Sequence, residues 1–294
     1  MVFGARPEDF GEEAAGARAA LYCSGGRALL EPLLARAPAL AWVHSRPAGV
    51  DRLLFPALAE SDVVLTNSRG VFSDALAEFA LAAVLHFARD VPRLLRAQVA
   101  RRWEPFEPRR VAGQLMGVLG YGDIGRAVAR RARALGMRVH AVRSRPAPAG
   151  ADEWAEVVAG PEALPDLLRE ADVLVLTLPE TSATRGLVSA AALARLKREA
   201  VLVNLGRGSA VDEDALVAAL RSGALRGAAL DVYREEPLPA GHPLWSLENV
   251  LLSPHSADQV AGWREDALAV FLDNLARFRA GQPLRNVVDK RLGY

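Results

Sequence analysis

Cysteine is nearly absent from this chain. Cys23 is the only one in 294 residues, which excludes an intrachain disulfide and any cysteine-built metal cluster. Lysine is almost as scarce: Lys197 and Lys290 are the only two, so arginine carries the positive charge, a bias we read as genome composition rather than function. The net charge is +1, which gives no general pull toward nucleic acid or a membrane surface, and neither is expected as a partner. No apolar run is long enough to span a bilayer. Residues 1–20 carry Glu8, Asp9, Glu12 and Glu13 where the apolar run of a signal peptide would lie, so a cytoplasmic location is expected. Internal repeats and low-complexity tails are also missing. What is present, 51% hydrophobic and 24% charged residues, suits an α/β protein of one large or two modest domains.

Residues 115–119 read as a short buried strand, and Gly120, Gly122 and Gly125 follow as G-x-G-x-x-G. Gly120 allows a tight turn, Gly122 lets backbone approach a pyrophosphate, and Gly125 lets a helix sit close to a strand. The helix follows at once, with Ile124, Ala127, Val128, Ala132 and Leu135 on one face and Arg126, Arg130 and Arg133 on the other. Gly136 can close it in a left-handed cap, and residues 137–142 give a second strand. Strand, glycines, helix and strand within about 30 residues form a dinucleotide fingerprint, whose helix N-terminus offers N–H groups and partial positive charge to phosphates. Proteins preferring NAD usually carry Asp or Glu at the end of the second strand to hold the ribose hydroxyls. That position here is Arg143, followed by Ser144 and Arg145. Two guanidiniums and a hydroxyl suit the extra phosphate of NADP, so NADP is the preferred expectation and NAD the alternative.

Strand and helix patterns alternate around this fingerprint. Residues 19–23, 40–44 and 63–66 read as strands, with helices over 27–36 and most of 50–60, a small parallel βαβαβ layer. Ser73 caps a long helical run with Leu76, Phe79, Ala80, Ala83, Val84 and Phe87 on its buried face. Pro92 should break it; the pattern resumes over 93–102 as far as Trp103, and Pro105 and Pro108 mark a crossing into the fingerprint domain. Beyond a loop at 146–150, strands are expected at 154–158, 173–177, 201–205, 227–231 and 250–252. Helices are expected at 161–171, from Ser189 to 198, at 213–221 behind an Asp212 cap, and over 258–279. This alternation predicts a doubly wound sheet of six or seven strands. The expected partition is a smaller domain of 1–98 completed by 259–294, and a dinucleotide domain of 99–258.

In such sheets ligands lie beyond the carboxyl ends of the strands. Arg207, Glu236 and His255 fall there. Arginine offers a two-pronged donor to a carboxylate. Histidine titrates near neutral pH and can exchange a proton with a hydroxyl or carbonyl. Glutamate beside it would orient the ring and favour the imidazolium. Taken singly, each has a bland alternative: a turn arginine between Gly206 and Gly208, a solvated Glu235–Glu236 pair, a histidine capping a strand after Pro254. Their joint placement after successive strands favours the functional reading. His44, ending a strand of the small layer, is a weaker ligand candidate; His86, His140 and His242 are weaker still.

The chain resembles the D-isomer-specific 2-hydroxyacid dehydrogenase family. The motifs that carry the resemblance are Ala-Gly-Val-Asp (48–51), Thr-Asn-Ser-Arg-Gly (66–70), Gly-Tyr-Gly-Asp-Ile-Gly (120–125), Leu-Pro-Glu-Thr (178–181), Asn-Leu-Gly-Arg-Gly (204–208), Leu-Asp-Val-Tyr-Arg-Glu-Glu-Pro (230–237) and Ser-Pro-His-Ser-Ala (253–257). It implies an α/β fold: a Rossmann doubly wound parallel sheet with a second, smaller flavodoxin-like substrate domain. It implies an NAD(P)-dependent oxidoreductase passing a hydride between the cofactor and a small 2-oxo or 2-hydroxy acid such as glyoxylate or hydroxypyruvate, and it implies a homodimer. It assigns Arg207 to the substrate carboxylate, His255 to acid/base catalysis and Glu236 to the histidine's partner, and it gives the Ala48 and Gly49 backbone a carboxylate-binding role. Toward the cofactor it adds Asp123, Ile124, Leu178, Pro179, Leu205 and Gly206 to the three glycines, and sets Asp231 near the nicotinamide amide. No metal is implied.

Three departures from the family pattern stand out. The region before residue 19 is short, so the smaller domain is expected to be N-terminally reduced, with residues 1–4 as a remnant strand. Ser256-Ala257-Asp258 follows the histidine where many relatives have an apolar residue and glycine. No acid ends the second fingerprint strand. The competing functions are a non-enzymatic dinucleotide-sensing corepressor, a same-fold dehydrogenase of formate or phosphite, and a methyltransferase using the glycine loop. The last leaves Arg207, Glu236 and His255 without a role.

Overall fold

The computed structural model describes residues 2–148 and 150–294. Met1 and Ala149 lie outside the described residues, and with them part of the expected 1–4 strand and of the 146–150 loop; residues 2–4 form no strand. The chain makes two compact units, one of residues up to Phe72 together with Ala261–Tyr294, the other of Ser73–Val260.

The smaller unit runs β1 (Ala19–Tyr22), α1 (Gly26–Arg36), β2 (Trp42–Ser45), α2 (Pro56–Ala59) and β3 (Val64–Asn67). Its three strands are parallel in the order β1-β2-β3. The central β2 is buried along its whole length, as parallel strands covered on both faces are. The helix expected over 50–60 is corrected to the single turn α2. Pro56 disfavours the helical region for the residue before it, and Phe55 is extended at φ −78°, ψ 156°. No helix can run through, and the turn at 50–55 buries Val50, Leu53 and Phe55 instead.

The larger unit contains α3 (Ser73–Ala88), α4 (Val91–Val99), β4 (Leu115–Leu119), α5 (Asp123–Ala134), β5 (Arg138–Val142), β6 (Val157–Ala159), α6 (Leu164–Glu170), β7 (Val173–Leu176), α7 (Ala190–Leu193), β8 (Val201–Asn204), α8 (Glu213–Arg221), β9 (Gly227–Leu230) and β10 (Val250–Leu252). The chain then returns to the smaller unit as α9 (Trp263–Arg279), where Phe271 stacks on Trp42 with ring centroids 5.4 Å apart. Seven parallel strands lie in the order β10-β9-β8-β7-β4-β5-β6. Runs such as Val173-Leu-Val-Leu are buried throughout, because helices cover both faces. The order reverses between β4 and β7, so a ligand crevice opens past their carboxyl ends. Among the described residues no helix is long and apolar enough to cross a membrane.

The boundary between units falls at 72/73 rather than at 98/99, because α3 packs on the larger sheet's layer. It lies along α5, and its Phe87 sits so close to Gly227 that a Cβ there would be 2.4 Å from the ring. Arg226 also donates to the Phe87 carbonyl at 2.7 Å. The Pro92 break is present: Asp90, at φ 50°, ends α3 and accepts from the Arg93 N–H to start α4. Three helices are shorter than their sequence patterns. Arg101, at φ 55°, lies just past the end of α4. After Leu193 the chain tightens into i→i+3 bonds before β8. Gly262, at φ 86°, delays α9 to Trp263.

Candidate active site

The switch point is built by glycines. Gly120, at φ 93°, ends β4 against β7, and a Cβ on it would lie 2.9 Å from the Thr177 carbonyl carbon. A Cβ on Gly125 would lie 2.4 Å from the Gly120 carbonyl oxygen and 3.2 Å from Val118, which is the close helix–strand approach expected of that position. Gly122 has open space where its Cβ would be, room that a pyrophosphate needs at this helix N-terminus. Gly136, at φ 75°, closes α5, with its N–H bonded to the Arg133 carbonyl at 2.9 Å. Leu178 and Pro179 follow β7 and are half-buried, while Leu205 and Gly206 are buried after β8. Arg143 leaves the end of β5 half-buried, with Ser144 and Arg145 exposed beside it. This cradle and its rim of donors fit a dinucleotide.

Arg207, Asp231 and His255 follow β8, β9 and β10, three neighbouring strands, and Glu236 lies in the loop after β9. Asn204, the last residue of β8, fixes the arginine loop. Its side chain donates to the Arg207 carbonyl at 3.0 Å and accepts from the Gly206 N–H at 3.1 Å. Gly208 then passes so close to Tyr233 that a Cβ would be 2.0 Å from its carbonyl carbon. Glu236 Oε2 is 2.9 Å from His255 Nδ1, and Oε1 accepts from the Tyr233 N–H at 3.1 Å. The carboxylate is therefore held in one orientation and holds the ring in turn. The hydrogen bond that His255 donates to Glu236 raises its pKa above the ordinary value, against the opposing effect of burial; Asp231 adds to the rise and Arg207 reduces it. A histidine so placed stays protonated further into the neutral range and can deliver that proton. Its backbone is left-handed, φ 52°, a conformation that costs a non-glycine residue roughly 1–3 kcal/mol and persists only where surroundings impose it.

Those surroundings centre on Asp231, which is 2% exposed. Its Oδ1 accepts from Ser253 Oγ at 2.6 Å and from the N–H groups of Ser256 at 2.9 Å and Ala257 at 3.1 Å. The chain on both sides of His255 is thus tied to one carboxylate. The Tyr233 hydroxyl shares its one proton between the Leu230 and Ser253 carbonyls, 2.9 and 2.7 Å away, binding the ends of β9 and β10 together. Burial pushes this phenol up to about 12. Asn204, Ser253 and Tyr233 went unremarked in the sequence although they stand inside the quoted motifs; a polar residue at a strand end was the available signal. Asp258, the departure after the histidine, has its pKa raised by burial and then by the Asp231 charge.

Two of the remaining histidines are accounted for by packing. His44 is 0% exposed. Its Nδ1 is 2.7 Å from Thr66 Oγ1 and its Nε2 3.3 Å from Ser68 Oγ, and burial depresses its pKa to about 4. It is a core residue of the smaller unit. His242 caps the turn before β10 by accepting from the Leu244 N–H at 3.3 Å, and its Nε2 lies 3.2 Å from Glu213. Ala48 and Gly49 lie in the smaller unit, in the loop after β2, where the Ala48 carbonyl accepts from Asn67 at 2.7 Å.

A seven-stranded doubly wound sheet with a glycine cradle, and an Arg/Glu/His set at its strand ends, defines a dinucleotide-dependent oxidoreductase. Residues 81–257 match the D-isomer specific 2-hydroxyacid dehydrogenase NAD-binding domain. The chain is 37% identical over 273 residues to a glyoxylate reductase of Aeropyrum pernix, covering 88% of this chain and 79% of that one. A D-isomer specific 2-hydroxyacid dehydrogenase from Xanthobacter autotrophicus Py2, solved with NADPH and MES, superposes with a TM-score of 0.85 at 40% identity, covering 96% of this chain and 86% of the other. An NADPH-dependent glyoxylate/hydroxypyruvate reductase from Sinorhizobium meliloti, solved with NADP and sulfate, gives a TM-score of 0.85 at 31% identity, covering 95% and 87%. The chain belongs to the D-isomer-specific 2-hydroxyacid dehydrogenase family.

Proposed function

We propose that this protein reduces small 2-oxo acids, glyoxylate or hydroxypyruvate, with NADPH, and that it works in the cytoplasm as a homodimer. The observation that carries the reading is the Glu236–His255 hydrogen bond at 2.9 Å, on strand ends adjacent to Arg207. A bound nicotinamide supplies a hydride equivalent to the carbonyl carbon. The chain's own residues do the rest. His255 gives its proton to the carbonyl oxygen. Glu236 keeps the ring oriented and charged until it does. Arg207 holds the substrate carboxylate and polarises the neighbouring carbonyl. Asp231, buried and fully engaged on Oδ1, holds the His255 segment and would help to hold the nicotinamide amide.

Arg143, Ser144 and Arg145 receive the 2′-phosphate. The relatives solved with NADPH or NADP support that choice of cofactor, and the reductases of matching sequence support the substrate. The dimer is supported by α4 and the segment after it. Leu94, Leu95, Val99 and Trp103 are exposed there, Trp103 at 95%, and a soluble monomer rarely leaves such a row in water. The test is loss of NADPH absorbance at 340 nm across a panel of 2-oxo acids with pyruvate as a contrast, and gain of that absorbance with NADP+ and formate or phosphite. Turnover of glyoxylate or hydroxypyruvate well above the contrasts is expected; oxidation of formate or phosphite instead, or no turnover at all, would overturn the reading.

A further inference from the structure

Tyr121, the residue between the first two glycines of the cradle, is only 2% exposed. Its hydroxyl donates to Asp152 Oδ1 at 2.7 Å. The same oxygen accepts from the N–H groups of Trp154 at 2.9 Å and Ala155 at 3.1 Å. Asp152 Oδ2 accepts from Arg126, in the first turn of α5, at 2.5 Å. The Asp152 side chain is itself 5% exposed. One buried carboxylate therefore joins three pieces: the glycine loop, the helix that follows it, and the segment leading into β6. Arg143 lies within the stretch so enclosed. It starts from the end of β5, its N–H is bonded to the Ala159 carbonyl of β6 at 3.0 Å, and its charge acts on the Tyr121 hydroxyl. None of the residues assigned so far explains why a tyrosine inside the glycine loop should reach a buried acid 31 positions away.

We propose that Tyr121 and Asp152 form a clasp that fixes the separation between the pyrophosphate-binding glycine loop and the Arg143–Arg145 segment, and so sets selectivity for a dinucleotide bearing a 2′-phosphate. The inference rests on the NADP reading above. Its logic is geometric. NADPH is held at two anionic anchors, the pyrophosphate at the loop and the 2′-phosphate at Arg143, so its affinity depends on the distance between them. NADH is held at the first anchor alone and is indifferent to that distance. Tyr121 is a positioning residue, and a purely structural role would affect both cofactors alike.

The test is Tyr121→Phe, which keeps the ring and removes the hydroxyl, with Asp152→Asn as a second variant. Dissociation constants for NADPH and NADH are measured by fluorescence titration of the whole protein, alongside KM, kcat and Tm. Losing a hydrogen bond to a buried charged group should weaken NADPH binding about tenfold while NADH binding moves less than about twofold. Asp152→Asn should shift the ratio in the same direction. Equal weakening of both cofactors, or a lower Tm with an unchanged ratio, would overturn the clasp while leaving the phosphate site intact. A wild-type protein that binds NADH as tightly as NADPH would remove the NADP reading, and the clasp with it.

Discussion

Replacing Glu236 with Gln tests the centre of the site with almost no change in shape. Gln can still accept from the Tyr233 N–H, now 3.1 Å from Glu236 Oε1, but the group facing His255 Nδ1 becomes a neutral amide. The hydrogen bond to Glu236 is the first cause of the raised His255 pKa. An opposite charge at this range favours the charged form of the imidazole. The His255 side chain is 41% exposed, so solvent screening moderates the effect without reversing it. The reduction step needs the imidazolium. The pH profile of kcat/KM should therefore be flat at low pH and fall as pH rises through the His255 pKa, which lies above the ordinary 6.5 in the wild type. In Glu236→Gln that limb should move to lower pH, so that activity at pH 8 drops while activity at pH 5.5 holds. The sign of the linked stability is the same: the pair's contribution is full below pH 6.5 and fades as pH rises through the raised value. The assay is initial-rate NADPH oxidation from pH 5.5 to 9.5 with saturating 2-oxo acid and at limiting concentration. A descending limb in the same place in both proteins would refute the reasoning, because Glu236 would then not govern the proton on His255.

Four further outcomes are expected. His255→Ala should lower kcat at least ~100-fold, the usual contribution of a general acid, while NADPH still quenches protein fluorescence; near wild-type turnover would remove His255 from the chemistry. Arg207→Lys keeps the charge but loses the two-pronged donor, so KM for the 2-oxo acid should rise while the cofactor's KM stays put; equal reduction of a 2-oxo acid and the matching carboxylate-free ketone by the wild type would contradict the anchor role. Arg143→Asp should swing kcat/KM from NADPH toward NADH through repulsion of the 2′-phosphate, and a ratio left unmoved would locate that phosphate elsewhere. Gly125→Ala puts a Cβ 2.4 Å from the Gly120 carbonyl oxygen, so thermal denaturation should show a loss of roughly 1–3 kcal/mol from overpacking, and an unchanged Tm would show that the loop can yield.

Much of this molecule was legible in one dimension because its signals are local. Gly120 must turn, Gly122 must leave room and Gly125 must touch Gly120 five positions back, and the spacing of the three shows in the sequence even though Gly120 also abuts the distant Thr177. The alternation of Val/Leu-rich runs with capped helices gave the parallel sheet, since a strand covered on both faces has to be apolar throughout. Even the strand ends carrying Arg207, Asp231 and His255 could be found by counting. Boundaries were harder where a local pattern met a distant partner. Helical periodicity at 50–60 yielded to Pro56, and α3 joined the larger unit because Phe87 lies on Gly227, about 140 residues on.

What the tertiary structure alone decided is which of those strand-end groups meet. The reach of Glu236 to His255 Nδ1 depends on the path of the loop after β9. The left-handed backbone of His255 follows from the three donors that Asp231 draws from its flanking segment. His44 had the same residue type at a similar strand end, yet Trp42, Thr66 and Phe271 enclose it and burial leaves it neutral. Tyr121 reads in the sequence as a spacer between two glycines, and only the folded chain brings Asp152 to its hydroxyl. Hydrogen bonds of this kind join residues 19 to 31 positions apart through side chains of no fixed pattern, so nothing in the local sequence can register them, whereas burial and backbone turning leave their period in every segment they shape.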